Sequence, residues 1–579
     1  MKQHALRDPL PYLAAMLFAA VVLTGCTSDP SADLIIHNAA IYTVDADRPM
    51  AEAVAIAGGR IVAIGSDEVV MALQGDHTEL IDAGGNFTMP GFIEGHGHFS
   101  GLGSSLQNLN FLTTKTWKDI VAAVAEKAAQ SEPGEWITGR GWHQEKWVDT
   151  LARSVLGYPY HDALSAVSPN NPVMLSHASG HGLMANARAM EIAGVTTETP
   201  NPSGGNIVRD ENGDAIGVFE ENAMQIIREA YRQYTATLSE EDLTEQWYQG
   251  IELAEEECLK KGVTSFHDAG SSLQTMKRFQ QLAEAGELDL RLYAMIRHEY
   301  DYLKDKLDGY PVIDAGDGFF TCRAVKLTID GALGSYGAWL LEEYDDNQDF
   351  YGQNVNSIEE MRNIAELCAG HDLQFCTHAI GDRANREALD VYEGVFNAHP
   401  EKQDWRWRIE HAQHIHPDDI PRFGELGVIA SMQGIHCTSD APFVVKRLGE
   451  QRAQEGAYAW RSLLESGAVV TNGTDAPVED VDPVASFYAT VTRKRADSGM
   501  AFFPEQCMTR AEAIYSYTMA NAFAAFEEDQ KGSLTEGKYG DIVILSNDLI
   551  NCADSEILET IVLLTVVDGK VKFRSELFQ

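Results

Sequence analysis

The chain has 579 residues, of which 44% are hydrophobic, and its formal net charge at pH 7 is −43. This length allows one large domain with appendages or several domains, and the apolar content is that of a globular protein. The negative charge argues against nucleic-acid binding, which requires basic patches. We interpret the excess of carboxylates as a solubility or salt-tolerance feature, with attraction of cationic substrates as the alternative.

Residues 1–26 have the composition of an export signal. Lys2 and Arg7 precede an apolar run from Tyr12 to Leu23 that is too short to span a membrane. The run leads into Leu-Thr-Gly-Cys, which ends at Cys26 and resembles a bacterial lipoprotein cleavage box. The resemblance implies lipidation of Cys26 and an exported protein of the periplasm or cell envelope, anchored to a membrane. A buried N-terminal helix is the alternative.

Short strands are predicted at both ends of the chain. Residues 33–86 contain β-like apolar runs and a hairpin signal at Gly58-Gly59, and residues 533–579 contain a second hairpin signal at Asp568-Gly569. Because chain termini tend to lie close together, the two segments are predicted to form one small β-sandwich domain.

Eight short apolar runs lie between these ends, and each is followed by a helical pattern. They are residues 87–93, 263–267, 290–296, 324–329, 373–378, 407–411, 428–432 and 469–474. Strands that alternate with helices in this number indicate an α/β fold, a (β/α)8 TIM barrel, over residues 87–532.

Residues 102–257 interrupt this alternation as a long insertion after barrel strand 1. The segment Thr116 to Asp119 looks like a capping box that opens a helix ending at Gln130. β-like runs follow at 135–138 and 172–176, and an acidic helix is predicted over 240–261. An insertion after a barrel strand lies at the catalytic mouth, so we expect a lid or specificity element.

Polar side chains, among them four histidines, recur in or just after the predicted barrel strands. Strand 1 ends at His96-Gly97-His98, and residues two apart on an extended strand project to one face, which suits a transition metal. The carboxyl ends of all barrel strands meet at the catalytic face, so the other candidates are expected there too. The full set is His96, His98, Lys326, His378, His411 and Asp475.

The segments around these residues resemble the amidohydrolase superfamily, in its N-substituted formamide deformylase-like branch. The similarity is carried by residues 90–94 (PGFIE), 326–331 (KLTIDG) and 377–384 (THAIGDRA), in this order along the chain. The resemblance covers the chain from about Asp33 onward. It implies a metal-dependent hydrolase that acts on a carbon–nitrogen bond of a small-molecule amide, such as an N-acyl or N-formyl amine.

The same resemblance implies a site with two divalent ions. Zinc is the expected metal, although manganese, iron or cobalt would accept the same ligands. The two histidines of strand 1 and Asp475 are assigned to one ion, His378 and His411 to the other, and a carboxylated Lys326 bridges them. A metal-activated hydroxide is then expected to attack the substrate, with Asp475 as the acid and base.

Five further residues are predicted as substrate contacts. His181 and Trp142 lie in the insertion, where the alternative for a tryptophan is a place in the core. His267 ends the second barrel strand and either lines the site or finishes a turn. Asp330 and Asp382 resemble family positions near the metals, where they would contact substrate or support a ligand.

Two other functions are compatible with the sequence. The first is a single-metal deaminase or cyclic-amide hydrolase on the same fold, in which the bridging lysine is usually absent. The second is an inactive, lipid-anchored binding protein, which the intact ligand set disfavours. The sequence names neither the substrate nor the oligomeric state.

Overall fold

A computed structural model describes residues 31–111, 114–144, 147–177, 182–202, 205–334 and 336–578. The predicted signal segment, Cys26 and the candidate residue His181 lie outside the described residues. No helix of the described ranges is both long enough and apolar enough to cross a membrane.

The N-terminal part is built from short strands. In chain order these elements are β1 (Leu34–His37), β2 (Ala40–Tyr42), β3 (Met50–Ala51), β4 (Ala53–Ala57), β5 (Arg60–Gly65), helix α1 (Asp67–Met71), β6 (Glu79–Asp82) and β7 (Phe87–Pro90). Four of them form one sheet in the order β5-β4-β1-β6. The predicted hairpin at Gly58-Gly59 joins β4 to β5, which pair antiparallel.

The first barrel strand, β8 (Phe92–Gly97), is followed by the insertion. Its elements are α2 (Phe99–Leu106), β9 (Leu109–Asn110), α3 (Trp117–Gln130), β10 (Ile137–Trp142), β11 (Ser154–Val155), β12 (Tyr158–Pro159), α4 (Asp162–Val167), β13 (Val173–His177), β14 (Gly182–Ala185), α5 (Ala187–Ile192), β15 (Gly205–Arg209), β16 (Ala215–Glu221), α6 (Met224–Thr235) and α7 (Glu240–Lys260). The two predicted helices are present as α3 and α7, and the Thr116 side chain accepts a hydrogen bond from the Asp119 amide at 3.0 Å.

The insertion contains more β-structure than its sequence indicates. Six strands form a sheet in the order β15-β16-β14-β13-β10-β9, whereas two β-like runs were predicted. The additional strands are short or interrupted by bulges, so they leave no clear alternation in the sequence. The sheet has its own apolar core, which includes Ile137, Trp142 and Leu175.

The barrel continues after the insertion. Its elements are β17 (Val263–Ser271), α8 (Leu273–Ala285), β18 (Arg291–Ile296), α9 (Tyr300–Leu303), β19 (Val312–Asp314), α10 (Ala315–Gly318), β20 (Phe320–Thr328), α11 (Ile358–Gly370), β21 (Gln374–Ala379), α12 (Asp382–Ala398), β22 (Arg408–His411), α13 (Ile420–Leu426), β23 (Ile429–Gln433), α14 (Gly434–Leu448), α15 (Glu450–Gly456), α16 (Trp460–Glu465), β24 (Val470–Gly473), α17 (Pro483–Thr492), a 3-10 turn (Pro504–Gln506), α18 (Arg510–Ser516) and α19 (Met519–Ala524).

Eight parallel strands form the barrel sheet, in the order β8-β17-β18-β20-β21-β22-β23-β24. The two ends of this sheet meet, because the Asp475 amide donates to the His96 carbonyl at 2.7 Å and the His98 amide donates to the Ala476 carbonyl at 2.6 Å. The α/β barrel expected from the sequence is confirmed.

The chain ends with β25 (Ile542–Leu545), helix α20 (Asp554–Ile557), β26 (Val562–Val567) and β27 (Lys570–Arg574). These strands join N-terminal ones in a second sheet, β27-β26-β25-β7-β2-β3. Ile36 and Ile56 from the first sheet share an apolar core with Ile542, Ile544 and Leu564 from the second. Both ends of the chain therefore build the additional β domain.

One predicted strand is divided in the structure. Residues 87–93 were expected to be a single barrel strand, but β7 belongs to the additional β domain and the barrel begins at Phe92. The break falls at Gly91, where a Cβ atom would lie 2.2 Å from the Thr264 side chain. Because the residues on both sides of the break are buried, the apolar run shows no boundary between the two sheets.

Candidate metal centre

Three barrel strands bring a carboxylate and two imidazoles to one point. His96 lies in β8, His411 ends β22, and Asp475 follows β24. All three are buried, and one potential ligand atom of each lies within 4.8 Å of those of the other two. Asp475 Oδ1 is 3.5 Å from His96 Nε2 and 3.4 Å from His98 Nε2. This cluster does not follow the predicted division of ligands between two ions, because His411 was assigned to a different ion from His96 and Asp475.

The predicted histidines form a continuous group at this face of the barrel. The His411 ring centre is 4.6 Å from that of His96 and 4.4 Å from that of His378, which lies in β21. The His98 ring is 5.8 Å from that of His96 and is the most open of the four, with 31% of its side chain exposed. Four imidazoles and one carboxylate therefore surround a single volume.

Lys326 reaches the same volume from the middle of the barrel. It lies in β20 and is 3% exposed, and its Nζ is 3.5 Å from the Ala269 carbonyl oxygen. Among the described residues no carboxylate lies within 4 Å of this Nζ. Burial lowers the pKa of Lys326, and the charges of Glu410 and Asp475 only partly oppose that shift. A buried lysine without an ion-pair partner is costly for a fold unless its charge is removed or compensated.

Two histidine rings of this group are held by contacts of their Nδ1 atoms with neighbouring side chains. Nδ1 of His96 is 2.5 Å from the Glu410 carboxylate, and Nδ1 of His411 donates to Gln433 Oε1 at 2.7 Å. Although burial alone would raise it, the neighbouring His96, Arg408 and Lys326 lower the pKa of Glu410 to about 2. Glu410 is therefore ionised at neutral pH and accepts from the His96 Nδ1–H, which leaves the Nε2 lone pair free.

The inward-facing atoms have the chemistry of metal ligands. Nε2 of His96, Nε2 of His378 and Oδ1 of Asp475 are buried and have no hydrogen-bond partner in the described part of the chain. Buried polar atoms are otherwise almost always satisfied. Imidazole nitrogen and carboxylate oxygen are the ligands that catalytic zinc prefers, so the residues present fit a divalent metal.

Comparison with known proteins agrees with this geometry. The model of the amidohydrolase family matches residues 79–573. The chain belongs to the amidohydrolase family. The match confirms the resemblance inferred from the sequence, and with it the expectation of a hydrolase acting on carbon–nitrogen bonds.

Relatives resemble this amidohydrolase over nearly its whole length. The chain is 32% identical to Protein LONG AFTER FAR-RED 3 of Arabidopsis thaliana, over 93% of this chain and 91% of the relative. It is 26% identical to the N-substituted formamide deformylase of Arthrobacter pascens, over 93% of this chain and 98% of the relative. Among solved structures, an uncharacterized metal-dependent hydrolase from Pyrococcus horikoshii OT3 superimposes with a TM-score of 0.72 at 26% identity, covering 90% and 99% of the two chains.

The residue before Asp475 is held in place by a buried carboxyl group that sequence reasoning missed. Glu94 is fully buried in β8 and accepts hydrogen bonds from the Thr474 amide at 2.6 Å and the Thr474 hydroxyl at 3.1 Å. Glu94 also accepts a hydrogen bond from the His96 amide at 3.3 Å. Burial raises the pKa of Glu94 to about 8. Glu94 thus ties the two strands that carry His96 and Asp475.

Two predicted aspartates of this amidohydrolase organise backbone around the centre. Asp330 is fully buried and accepts from the amides of Trp339, Ile380 and Gly381 at 2.8–3.0 Å. Its Oδ1 is 3.6 Å from His378 Nε2, and burial raises the pKa of Asp330 to about 7. Asp382 accepts from the Leu341 amide at 2.8 Å, so it secures a loop.

Two other predicted contacts, His267 and Trp142, have hydrogen-bond partners outside the histidine cluster. His267 is buried inside the barrel, where its Nδ1 is 3.1 Å from the Arg408 guanidinium. Trp142 is fully buried in the core of the insertion and donates its indole N–H to the Leu175 carbonyl at 2.9 Å. The structure therefore places Trp142 in a packed interior and not on an open wall.

Sequence reasoning also missed the residues that orient the histidines. Glu410 directly precedes His411, and Gln433 ends β23, so both stand at strand ends that had already been identified. The available signal was a polar side chain at the last or next-to-last position of a barrel strand. The sequence did not indicate which residue each side chain contacts, since Glu410 and His96 are 314 positions apart in the chain.

Proposed function

We propose that this chain hydrolyses the amide bond of a small, non-peptide N-acyl or N-formyl amine, with divalent metal ions held at the face described above. The observation that carries the proposal is the convergence of His96, His411 and Asp475, with inward atoms that are buried. The 26% identity to the N-substituted formamide deformylase of Arthrobacter pascens supports the substrate class.

Two metal ions would be held by the side chains of the centre. His98 and Asp475 would join His96 at one ion, while His378 and His411 would hold the second. When bound, such ions supply a water that is acidic enough to ionise near neutral pH and polarise the scissile carbonyl. Glu410 and Gln433 would keep the ring nitrogens of their histidines aimed inward.

Lys326 would bridge the ions as a carbamate. The ammonium would lose one proton to become a neutral amine, and a second as its nitrogen forms a bond to the carbon of carbon dioxide, which converts a buried cation into an anion with two oxygens. The absence of a carboxylate within 4 Å of Nζ, among the residues described, supports this assignment. An anion at this position would suit a site that otherwise contains four imidazoles and one carboxylate.

Asp475 is assigned the proton transfers. Water adds to the carbonyl carbon, the carbon–nitrogen bond breaks, and one proton of the water passes through the Asp475 carboxylate to the leaving nitrogen. The products are a carboxylic acid, formic acid for a formamide, and an amine. The contacts of Glu94 with Thr474 would hold the Asp475 backbone during this transfer.

A single-metal deaminase or cyclic-amide hydrolase is the second candidate. The observation that favours it is the compactness of the cluster, since His96, His411 and Asp475 alone could hold one ion. An inactive binding protein is the third candidate, and turnover of any substrate would exclude it.

Elemental analysis combined with a hydrolysis screen would test these candidates. We expect about two metal ions per chain and hydrolysis of an amide or formamide; one ion with ammonia release or lactam opening would favour the second candidate. Asp475→Asn should abolish turnover with metal still bound, while Asp418→Asn, at an exposed position, should remain active. A protein that holds no metal and hydrolyses no amide would refute the proposal.

We also propose that residues 1–26 direct export and lipidation at Cys26. The support is the apolar run that ends in Leu-Thr-Gly-Cys. In a bacterial host, Cys26→Ser should move the protein from the membrane fraction to the soluble one. An unmodified N-terminus in the mass spectrum of the wild-type chain would contradict the assignment.

A further inference from the structure

A cavity of about 460 Å³ opens beside Lys326, at the carboxyl ends of β18 and β20. Its lining includes Arg297, Glu299, Tyr302, Lys326, Thr328 and Asn356. The volume lies in the range of small-molecule sites, and Lys326 connects the cavity directly to the candidate metal centre. The cavity is therefore the place where a substrate group next to the scissile amide would lie.

Arg297, an exposed residue, lies beside Lys326 on the lining of this cavity. Gly270 lies between the two side chains, since a Cβ at that glycine would be 3.0 Å from Arg297 Cδ and 3.4 Å from Lys326 Cβ. The Arg297 guanidinium donates from Nη2 to the Thr328 hydroxyl at 3.1 Å. Thr328 thereby holds the planar group at the end of β20, in the same cavity as Lys326.

The charge of Arg297 is not neutralised by the described part of the chain. No carboxylate of the described residues lies within 4 Å of its guanidinium, although the chain has 87 acidic residues and 44 basic ones. The one acidic side chain of the cavity lining is Glu299, which is exposed at the start of α9. A guanidinium has five N–H donors, and a carboxylate accepts two of them side by side.

We infer that the substrate carries a carboxylate, which Arg297 binds in the cavity next to Lys326. This inference rests on the proposed function, and it narrows the substrate class to N-acyl or N-formyl amines with an anionic substituent, such as N-formyl amino acids. Tyr302 on the same lining is contacted by the His298 ring, with ring centres 4.3 Å apart, and by the Lys306 ammonium, 3.2 Å from its ring centre, so a second cation lies next to the cavity.

Matched pairs of substrates test this inference in the metal-loaded enzyme. N-formylglycine, N-formylleucine and N-formylphenylalanine are compared with their C-terminal carboxamides, which keep the amide and remove the charge. We expect a KM that is about 10- to 100-fold lower for the carboxylates, as for a hydrogen-bonded charged group. Arg297→Gln should abolish this preference by raising KM for the carboxylates, with kcat changed less than about twofold and the carboxamides unaffected.

Three further variants distinguish the charge of Arg297 from the position of its guanidinium. Thr328→Val keeps the guanidinium but removes its acceptor, so the preference should shrink without disappearing. Arg362→Gln changes an exposed arginine of α11 outside the cavity lining and should leave the preference as it is in the wild type. Arg297→Lys keeps one charge without the paired donors, so it should restore only part of the preference.

Calorimetric binding of the same compounds to the Asp475→Asn protein provides a readout that does not depend on turnover. Carboxylate binding that is lost in Arg297→Gln, with no amide hydrolysed by the wild type, would refute the proposed function and keep the carboxylate site. Hydrolysis of the neutral carboxamides with equal efficiency, unchanged by Arg297→Gln, would overturn the carboxylate site and keep the function. If the carboxylates neither bind nor react, the carboxylate site is also overturned.

Discussion

Glu410→Gln tests whether the carboxylate behind His96 controls the metal centre. In the wild type the ionised Glu410 lies 2.5 Å from His96 Nδ1, and both side chains are fully buried. Glutamine has nearly the same shape and keeps an oxygen that accepts from the Nδ1–H. The substitution therefore removes the charge of the pair while it preserves the hydrogen bond and the packing.

The magnitude follows from the difference between the two kinds of hydrogen bond. A bond to a charged partner contributes about 1.5–3 kcal/mol and a neutral one about 1 kcal/mol, so the loss is about 0.5–2 kcal/mol. This corresponds to about 2- to 30-fold in affinity for the metal at His96, and partners of metal-bound histidines typically account for about 10- to 100-fold. Turnover at saturating metal should fall less than metal retention does.

Metal retention is measured by competition with a chelator, followed by elemental analysis of the protein. Glu425→Gln, an exposed glutamate of α13, serves as the control and should retain metal like the wild type. If Glu410→Gln keeps metal and activity within twofold of the wild type, the charge of Glu410 has no role in holding the centre. A loss of folding, seen by circular dichroism, would instead assign Glu410 to the barrel interior.

Three other predictions concern stability. Burial raises the pKa of Glu255 from 4.5 to about 7. Because this folded-state pKa lies above the unfolded one, the contribution of Glu255 to the free energy of unfolding is greatest below pH 4.5 and falls by up to about 3 kcal/mol as the pH rises through 7. Glu255→Gln, which can still accept from the Asp289 amide, should flatten this trend in chemical denaturation between pH 5 and 8. Trp142→Ala should cost about 3–5 kcal/mol, whereas Trp142→Phe should leave KM unchanged; a selective rise in KM would restore Trp142 as a substrate contact. Thr116→Ala should destabilise α3 by about 1 kcal/mol in the same assay, because it removes the N-cap bond, and an unchanged midpoint would contradict that role.

The barrel was predictable because its strands carry a repeated local signal. Each is a short apolar run before a helical pattern, and each candidate ligand stands in a strand or just after it. Residues such as His411 and Asp475 could be grouped without any contact information, since parallel strands share one catalytic edge. The barrel topology therefore predicts that these residues, although far apart in the sequence, lie close together in the fold.

The features that could not be predicted depend on contacts between distant segments. The division of the run 87–93 depends on which sheet each half joins, and both halves are equally apolar. The sheet of the insertion is built partly from strands of two residues, such as β9, which are too short to show a period. Trp142 is buried because this sheet packs around it, so its burial could not be predicted without the strands that the sequence did not reveal.

Backbone geometry adds a further constraint on the centre that composition does not reveal. His411 and Asp475 both adopt left-handed conformations, with φ of 75° and 59°, which cost about 1–3 kcal/mol for residues with a side chain. Each residue is secured by neighbours: Gln433 holds the His411 ring, and the Asp475 amide donates to the His96 carbonyl. Strain that persists in two residues, at the ends of strands separated only by β23, indicates that the surrounding barrel fixes their direction. It also explains why both side chains lie next to His96. Each stands at the end of its strand or just beyond it, where the alternation of side chains along a strand no longer determines the direction of a side chain.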